Sequence, residues 1–162
     1  MNIKAIKVEN PDNKYQVVIG QGNFSIFTCD DLFKALLTTV PGIKCAVAMN
    51  EAIPKLTRVS GNDDIIQGLA SSNCLNIGAG HVFVVMMKNA FPINVMNILK
   101  AHPAVAQLFV GTANYLEVLV VKTKLGSSVI GVVDGNSSLR VEEQEEKRER
   151  RELCENLGYR IN

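Results

Sequence analysis

Short apolar runs alternate with helical patterns along the whole chain, and this alternation restricts the possible folds more than any other feature. The mainly apolar runs Ile43–Met49 and Val82–Met87 predict buried strands. Apolar residues at helical spacing follow Thr28, a suitable N-cap with Asp31 three residues later. The order of elements therefore predicts a mixed α/β fold, with one compact domain over residues 1–162 in which helices cover a mixed β-sheet.

Turn residues separate the remaining elements. Only a turn-like segment separates the strand patterns Ile3–Val8 and Gln16–Gly20, so we expect these two to be neighbouring strands. A second helix is predicted with Asn62 as its cap, and a third begins at Phe91. The chain closes with a strongly charged helix at about Glu142–Leu157, which indicates a solvent-exposed surface. The apolar side of the second helix is predicted to consist of Ile65, Ile66, Leu69, Ala70 and Leu75.

Composition and charge exclude several classes of protein. The chain has 17 Lys and Arg residues against 16 Asp and Glu residues, whereas nucleic-acid-binding domains usually carry an excess of basic residues. A hydrophobic fraction of 47% excludes a largely disordered chain. No window reaches the roughly 18–20 consecutive apolar residues that span a bilayer, and Lys4 and Lys7 interrupt any secretory signal. We expect a cytoplasmic protein without a nucleic-acid or membrane partner.

The cysteines and histidines do not indicate a metal centre built from these residues. The four cysteines lack Cys-x-x-Cys spacing and are expected to be small core residues; they are Cys29, Cys45, Cys74 and Cys154. The chain has two histidines, which is too few for a histidine-rich centre. His102 precedes a proline at a helix end, where it is expected to be structural.

Two segments are candidates for anion or nucleotide binding. In Gly78-Ala79-Gly80-His81, the two glycines allow a ligand to approach the backbone, and His81 can donate or carry a proton. A helix-terminating glycine followed by a tight turn gives the same pattern. Asn94 lies in the first turn of the third helix, where free N–H groups attract anions, although it can equally bond to its own backbone.

Carboxylates near strand ends are candidates for catalysis. Asp134 and Glu51 each follow a strand pattern and each suits a general base or magnesium ligand, although Asp-Gly is also a common turn. Asn114 and Glu117 can hold ribose hydroxyls or a divalent cation, and a polar hairpin end has the same composition. If the strand ends converge, these four residues and His81 form one site. No Gly-x-x-x-x-Gly-Lys-Ser/Thr phosphate loop is present.

Several short motifs occur in an order that resembles one family. They are Val40-Pro41-Gly42-Ile43-Lys44, Gly61-Asn62-Asp63, Ile77-Gly78-Ala79-Gly80-His81, Ala90-Phe91-Pro92-Ile93-Asn94-Val95, Thr112-Ala113-Asn114 and Gly131-Val132-Val133-Asp134-Gly135. Over nearly its whole length the chain resembles the small prokaryotic adenosine-specific kinases. The resemblance implies a protein that binds adenosine or AMP, phosphorylates adenosine with ATP and Mg²⁺, and forms a homo-oligomer, either a trimer or a hexamer.

The enzyme interpretation assigns a role to each candidate residue. The catalytic candidates are Asp134, Glu51 and His81. The candidates for holding the nucleotide are Gly78, Gly80, His81, Asn94, Asn114 and Glu117. Positioning and charge stabilisation by such groups would account for phosphoryl transfer.

The chain departs from the family pattern where a nucleotide site is expected. Where the family has Glu-Ala-Ser-Gly-Pro, this chain has Glu51-Ala52-Ile53-Pro54, and Asn50 replaces the usual preceding cysteine. Tyr115 replaces a proline after Asn114 and is expected to fill or reshape the pocket. The alternative function is therefore a non-catalytic nucleotide-binding protein, or a structural oligomeric protein with an altered pocket.

Overall fold

The strands form two antiparallel sheets rather than the single mixed sheet that the sequence predicted. A computed structural model describes residues 2–160. Its strands are β1 (Ile3–Lys7), β2 (Gln16–Gly22), β3 (Lys44–Asn50), β4 (Thr57–Gly61), β5 (Val82–Lys88), β6 (Val105–Thr112), β7 (Leu116–Lys122) and β8 (Ser127–Asp134). Its α-helices are α1 (Cys29–Leu37), α2 (Asp64–Ile77), α3 (Pro92–Ala101) and α4 (Gln144–Asn156). The larger sheet has the order β4-β3-β5-β2-β6, and the smaller has the order β1-β7-β8.

The prediction of a compact mixed α/β fold is confirmed, because helices cover both faces of the larger sheet. On one face α1 and α3 pack on the sheet through Leu32, Leu36, Val95 and Leu99. On the other face the sheet packs against α2 and the smaller sheet, through Ile66, Ala70, Val118 and Val120. Strands β3 and β5 are covered on both faces, which explains why their sequences are continuously apolar instead of alternating.

The capping prediction is confirmed for α1 and wrong for α2. The Thr28 hydroxyl accepts a hydrogen bond from Asp30 N, and the Asp31 carboxylate accepts one from Thr28 N at 2.7 Å. In α2 the cap is Asp63 rather than Asn62. The Asn62 side chain is used elsewhere, because its Oδ1 accepts from Cys45 N at 2.9 Å and fixes the start of β3.

One other prediction fails and another is only partly confirmed, because both depend on tertiary contacts. Strands β1 and β2 are not neighbours: β1 pairs with β7, whereas β2 lies between β5 and β6. In α2 the predicted apolar side is confirmed for Ile66 and Ala70, which are buried, and wrong for Ile65 and Leu75, which are 67% and 65% exposed, so the buried side is displaced from the predicted one. The buried side consists of Ile66, Ala70, Asn73, Cys74 and Ile77.

The C-terminal segment is the most exposed part of the fold. Helix α4 has no buried residue, as its many charges predicted. Leu139 and Val141, in the segment before it, are 98% and 85% exposed. Within residues 2–160, no helix is both long and apolar enough to cross a membrane.

Candidate functional site

A large cleft lies where the ends of β2 and β3 meet the start of β5 and the β7–β8 hairpin. It has a volume of about 930 Å³, in the upper part of the range of about 300–1,000 Å³ that is typical of small-molecule sites. We call it the His81 cleft. It is lined by Gln21, Asn50, Glu51, Ala52, Ile53, Lys55, Leu56, Thr57, Leu75, Gly78, Gly80, His81, Thr123, Leu125, Gly126, Ser127 and Ser128.

Four of the sequence-predicted site residues therefore lie together. Glu51 follows β3, whereas Gly78, Gly80 and His81 connect α2 to β5. They meet because β3 and β5 are antiparallel neighbours, so that the end of one strand lies beside the start of the other. This arrangement provides a carboxylate, an imidazole and an open stretch of backbone in one concave site.

Glu51 is held by the loop that follows it. Its backbone N–H donates to Leu56 O at 2.9 Å, and its carboxylate accepts from Arg58 Nε at 3.0 Å. The Arg58 side chain is 47% exposed, so the ion pair contributes little to stability, about 0–1 kcal/mol. Its main effect is to orient the carboxylate and to place a cation beside it.

His81 has an unusual and tightly fixed backbone. Its φ is +61°, in the left-handed region that residues other than glycine rarely adopt. Its N–H donates to Asn50 O and its carbonyl accepts from Gly22 N, each at 2.8 Å. Its ring meets the edge of Phe24 with a centroid separation of 6.1 Å. Backbone strain of this kind is common at functional sites, where the surrounding structure maintains it.

The two glycines of this segment differ in conformation. Gly78 has a φ of +67° and ends α2, with its N–H donating to Cys74 O, as a helix-terminating glycine does. Gly80 is outside the left-handed region, and a Cβ added there would meet no atom within 4 Å. Gly78 is therefore required by the turn, whereas at Gly80 the open space is part of the cleft.

The charges around the cleft differ from those of a phosphate loop. The Gly78–His81 segment follows the C-terminal end of α2, where the helix dipole is negative and disfavours an anion. The cation within the cleft lining is Lys55, and Arg58 lies beside Glu51. A phosphate group is therefore better placed near these side chains than above Gly78.

The other predicted residues lie at the opposite end of the smaller sheet. We call Asn114, Glu117 and Asp134 the distal group. Asn114 Nδ2 donates to Asp134 Oδ1 at 3.1 Å, and Glu117 lies next to this pair, opposite Val133. The seven residues of β7, at about 3.3 Å per residue, separate the two ends by about 20 Å. Within one chain, the five strand-end residues therefore do not form a single site.

Asn94 and Tyr115 also lie outside the cleft lining. Asn94 Oδ1 accepts from Phe91 N at 2.8 Å, so it caps α3 locally, which was one of its two expected roles. Tyr115 is 69% exposed, and its carbonyl accepts from Gly135 N. Tyr115 thus does not fill the cleft of its own chain as predicted, whereas Ile53, the other bulky departure, is part of the cleft lining.

Comparison with known proteins shows to which family the chain belongs. The family model described as adenosine specific kinase matches residues 6–160. The chain belongs to the adenosine-specific kinase family. Among solved structures, the PH1918 protein from Pyrococcus horikoshii OT3 is 56% identical, with a TM-score of 0.94 over 99% of each chain. No curated protein matches the sequence.

Neither a metal centre nor a reactive buried thiol is found among residues 2–160. Among residues 2–160 there is no group of three or more His, Cys, Asp or Glu residues that could hold a metal ion. Burial raises the pKa of Cys29 and Cys45 to about 11 and that of Cys74 to about 12. These three thiols are core residues, as predicted, and do not supply nucleophiles at neutral pH. The prediction is wrong for Cys154, which lies partly exposed on α4, a helix without buried residues.

The cleft of this adenosine-specific kinase family member also contains residues that sequence reasoning missed. They include Lys55, Leu56, Thr57, Leu75, Thr123, Leu125, Gly126, Ser127 and Ser128. In the sequence, Leu125 is an isolated leucine between two strand patterns, which was a local signal that could have drawn attention to this hairpin. In the structure it is fully exposed. The rest required knowledge that the smaller sheet lies over the end of α2.

Proposed function

We propose that the protein binds adenosine or AMP in the His81 cleft. The observation that carries this proposal is that Glu51, Gly78, Gly80 and His81 line one cavity in a chain of the adenosine-specific kinase family. A volume of about 930 Å³ is sufficient for a nucleoside together with a phosphate-bearing ligand. Nucleotide-binding sites combine apolar walls with a few polar groups, as this cavity does.

Aliphatic side chains provide the surface for the base. Ile53, Leu56, Leu75 and Leu125 all line the cleft and are between 48% and 100% exposed. A planar base packed on them would remove this apolar surface from water, at about 25 cal/mol per Å² buried. We assign the ribose to the hydroxyl and amide groups of Gln21, Thr57, Ser127 and Ser128, and a phosphate to Lys55.

We further propose that the cleft catalyses transfer of phosphate from ATP to adenosine. ATP would supply the phosphoryl group and Mg²⁺ would neutralise its charge. The residues fit this pair, because Mg²⁺ commonly takes one or two carboxylates together with substrate phosphates, and Glu51 supplies a carboxylate. Glu51 would hold the ion or accept the proton of the attacking hydroxyl, and protonated His81 would stabilise developing negative charge. Asp134 is assigned no role in the cleft of its own chain, since it belongs to the distal group.

A non-catalytic nucleotide-binding protein is the second candidate. The Arg58 guanidinium occupies one side of the Glu51 carboxylate at 3.0 Å, which leaves fewer of its oxygen lone pairs free for a substrate hydroxyl or Mg²⁺. The absence of a known phosphate loop from the sequence favours the same alternative. In this case, the cleft would sense AMP without transferring phosphate.

An assay of AMP formation from adenosine and ATP–Mg²⁺ distinguishes these functions. The wild-type protein should form AMP, and Glu51→Gln should lower kcat by about 10²–10⁴-fold, the usual contribution of a general base. Asp134→Asn is the matched comparison, since it removes a charge from the distal group and should retain the wild-type rate. Binding of AMP without turnover would establish the non-catalytic alternative. Loss of rate in Asp134→Asn alone would transfer the catalytic role to Asp134.

We also propose that the protein forms a trimer or a hexamer. Apolar side chains remain exposed on β8 and along the C-terminal segment, namely Ile130, Val133, Leu139, Val141, Leu153 and Leu157. Exposed apolar side chains in this number are typical of a surface that a partner subunit covers. A cyclic oligomer would cover this surface in every subunit.

A further inference from the structure

Asn50 joins three walls of the His81 cleft through one side chain. It ends β3, directly before Glu51, and is only 7% exposed. Its Nδ2 donates to Cys74 O at 2.9 Å and to Ala79 O at 3.0 Å. Its Oδ1 accepts from Thr57 Oγ1 at 2.7 Å. The end of α2, the turn before His81 and the start of β4 are thus tied to a single amide.

The bonding pattern requires a primary amide. Cys74 O already accepts from Gly78 N at the end of α2, and the Asn50 amide supplies a second hydrogen bond to the same oxygen. A carboxylate at position 50 would face two carbonyl oxygens without a proton to donate, and an alanine would leave buried polar atoms unpaired. Because its polar atoms are used within the protein, Asn50 contributes shape to the cleft rather than a free group for a ligand.

The backbone of the same residue fixes His81. Asn50 O accepts the His81 N–H at 2.8 Å, and Gly22 N donates to His81 O at 2.8 Å. These bonds span the left-handed residue on both sides, and such a conformation persists only where its surroundings determine it. The Asn50 side chain holds Ala79, two residues before His81, so it restrains the turn from the other direction.

We infer that Asn50 is a positioning residue, which sets the placement of the His81 imidazole in the cleft. One consequence of this inference is that nucleotide affinity depends on Asn50, and this consequence rests on the proposed function. The position of His81 itself can be measured without a ligand. A failure of the inference about Asn50 can therefore be distinguished from a failure of the proposed function.

Asn73 provides a matched control. It is 1% exposed, and both ends of its amide bond to the backbone of one residue: Oδ1 accepts from Glu9 N at 2.8 Å and Nδ2 donates to Glu9 O at 2.9 Å. It lies on α2 but is not part of the cleft lining. Asn50→Ala and Asn73→Ala therefore remove equivalent buried amides, and both should lower the melting temperature.

The first measurement is the proton NMR spectrum of the imidazole groups in the free protein. The chain has two histidines, so a His102→Ala spectrum assigns both resonances. Asn50→Ala should shift the His81 resonance and leave His102 unchanged, whereas Asn73→Ala should leave both unchanged. An unshifted His81 resonance in folded Asn50→Ala, or an equal shift in Asn73→Ala, would overturn the inference.

The second measurement is calorimetric titration with AMP, well below the melting temperature of each variant. Asn50→Ala should weaken binding by about tenfold or more, as is usual when groups that orient a site are removed. Asn73→Ala should stay within about twofold of wild type, as expected for an independent position. Unchanged affinity in Asn50→Ala would overturn the consequence for binding. Absence of binding by the wild-type protein would instead count against the proposed function.

A milder variant covers the case in which Asn50→Ala does not fold. Thr57→Val removes the hydroxyl that donates to Asn50 Oδ1 and retains the shape of the side chain. It should shift the His81 resonance in the same direction, by a smaller amount. A folded Thr57→Val protein with an unchanged His81 resonance would then overturn the inference.

Discussion

Substitutions at Gly78 and Gly80 should separate fold stability from ligand binding. Alanine at the φ of +67° of Gly78 costs about 1–2 kcal/mol in the left-handed region. The reduced freedom of the unfolded chain returns about 0.4–1 kcal/mol. The nearest atom to the added Cβ is Leu75 O at 3.5 Å, so no clash adds to this cost. Gly78→Ala should therefore lose about 1 kcal/mol of unfolding free energy, or about 2–4 °C in melting temperature for a chain of this size.

Gly80 should respond in the opposite way. Its backbone is outside the left-handed region and a Cβ there meets nothing within 4 Å, so Gly80→Ala should be neutral or stabilising by up to about 1 kcal/mol. Gly80→Val places a larger side chain in the cleft. It should weaken AMP binding by about tenfold, because crowding costs about 1–3 kcal/mol.

Thermal unfolding followed by circular dichroism and calorimetric titration with AMP measure the two effects on the same samples. Equal stability of Gly78→Ala and Gly80→Ala would refute the assignment of Gly78 as the residue that ends α2. If Gly80→Val binds AMP with wild-type affinity, the ligand does not lie close to Gly80.

Two further predictions concern the thiols and the assembly. A thiol reagent at pH 8 should label Cys154 promptly and the other three cysteines only on unfolding, because burial raises the pKa of Cys29 and Cys45 to about 11 and that of Cys74 to about 12. Prompt labelling of several thiols would contradict this burial. Since the ordinary thiol pKa is 9.0, the thiols of the unfolded chain ionise before the buried ones do, so the unfolding free energy should fall as the pH rises from about 9 towards 11. Light scattering on the eluting protein should give three or six times the chain mass of 17.7 kDa, and a monomer mass would exclude the proposed oligomer.

Local signals in the sequence were sufficient for most elements. The Thr28–Asp31 capping box could be predicted because all of its hydrogen bonds lie within four residues. Asn62 and Asp63 are both suitable caps, and only the long-range bond from Cys45 N to Asn62 Oδ1 decides between them. Helix boundaries that depend on local chemistry are thus predictable, whereas those that depend on a distant strand are not.

The site was only partly predictable for the same reason. Glu51 and His81 lie together because β3 and β5 are neighbours, a pairing between segments that are far apart in the sequence. Asp134 and Asn114 lie together because β7 and β8 form a hairpin. The residue types indicated which side chains can carry out chemistry, but strand order divided them between the His81 cleft and the distal group.

The central claim is that AMP binds beside His81, and the most direct test is calorimetric titration of wild type, His81→Ala and His102→Ala with AMP. His102 is a matched control because its ring packs on Phe27 at the end of α3, and it is not part of the cleft lining. We expect wild type and His102→Ala to bind with the same affinity and His81→Ala to bind at least about tenfold more weakly, a difference of about 1.4 kcal/mol. Equal affinity of all three proteins, or no binding by a folded wild-type protein, would contradict the claim.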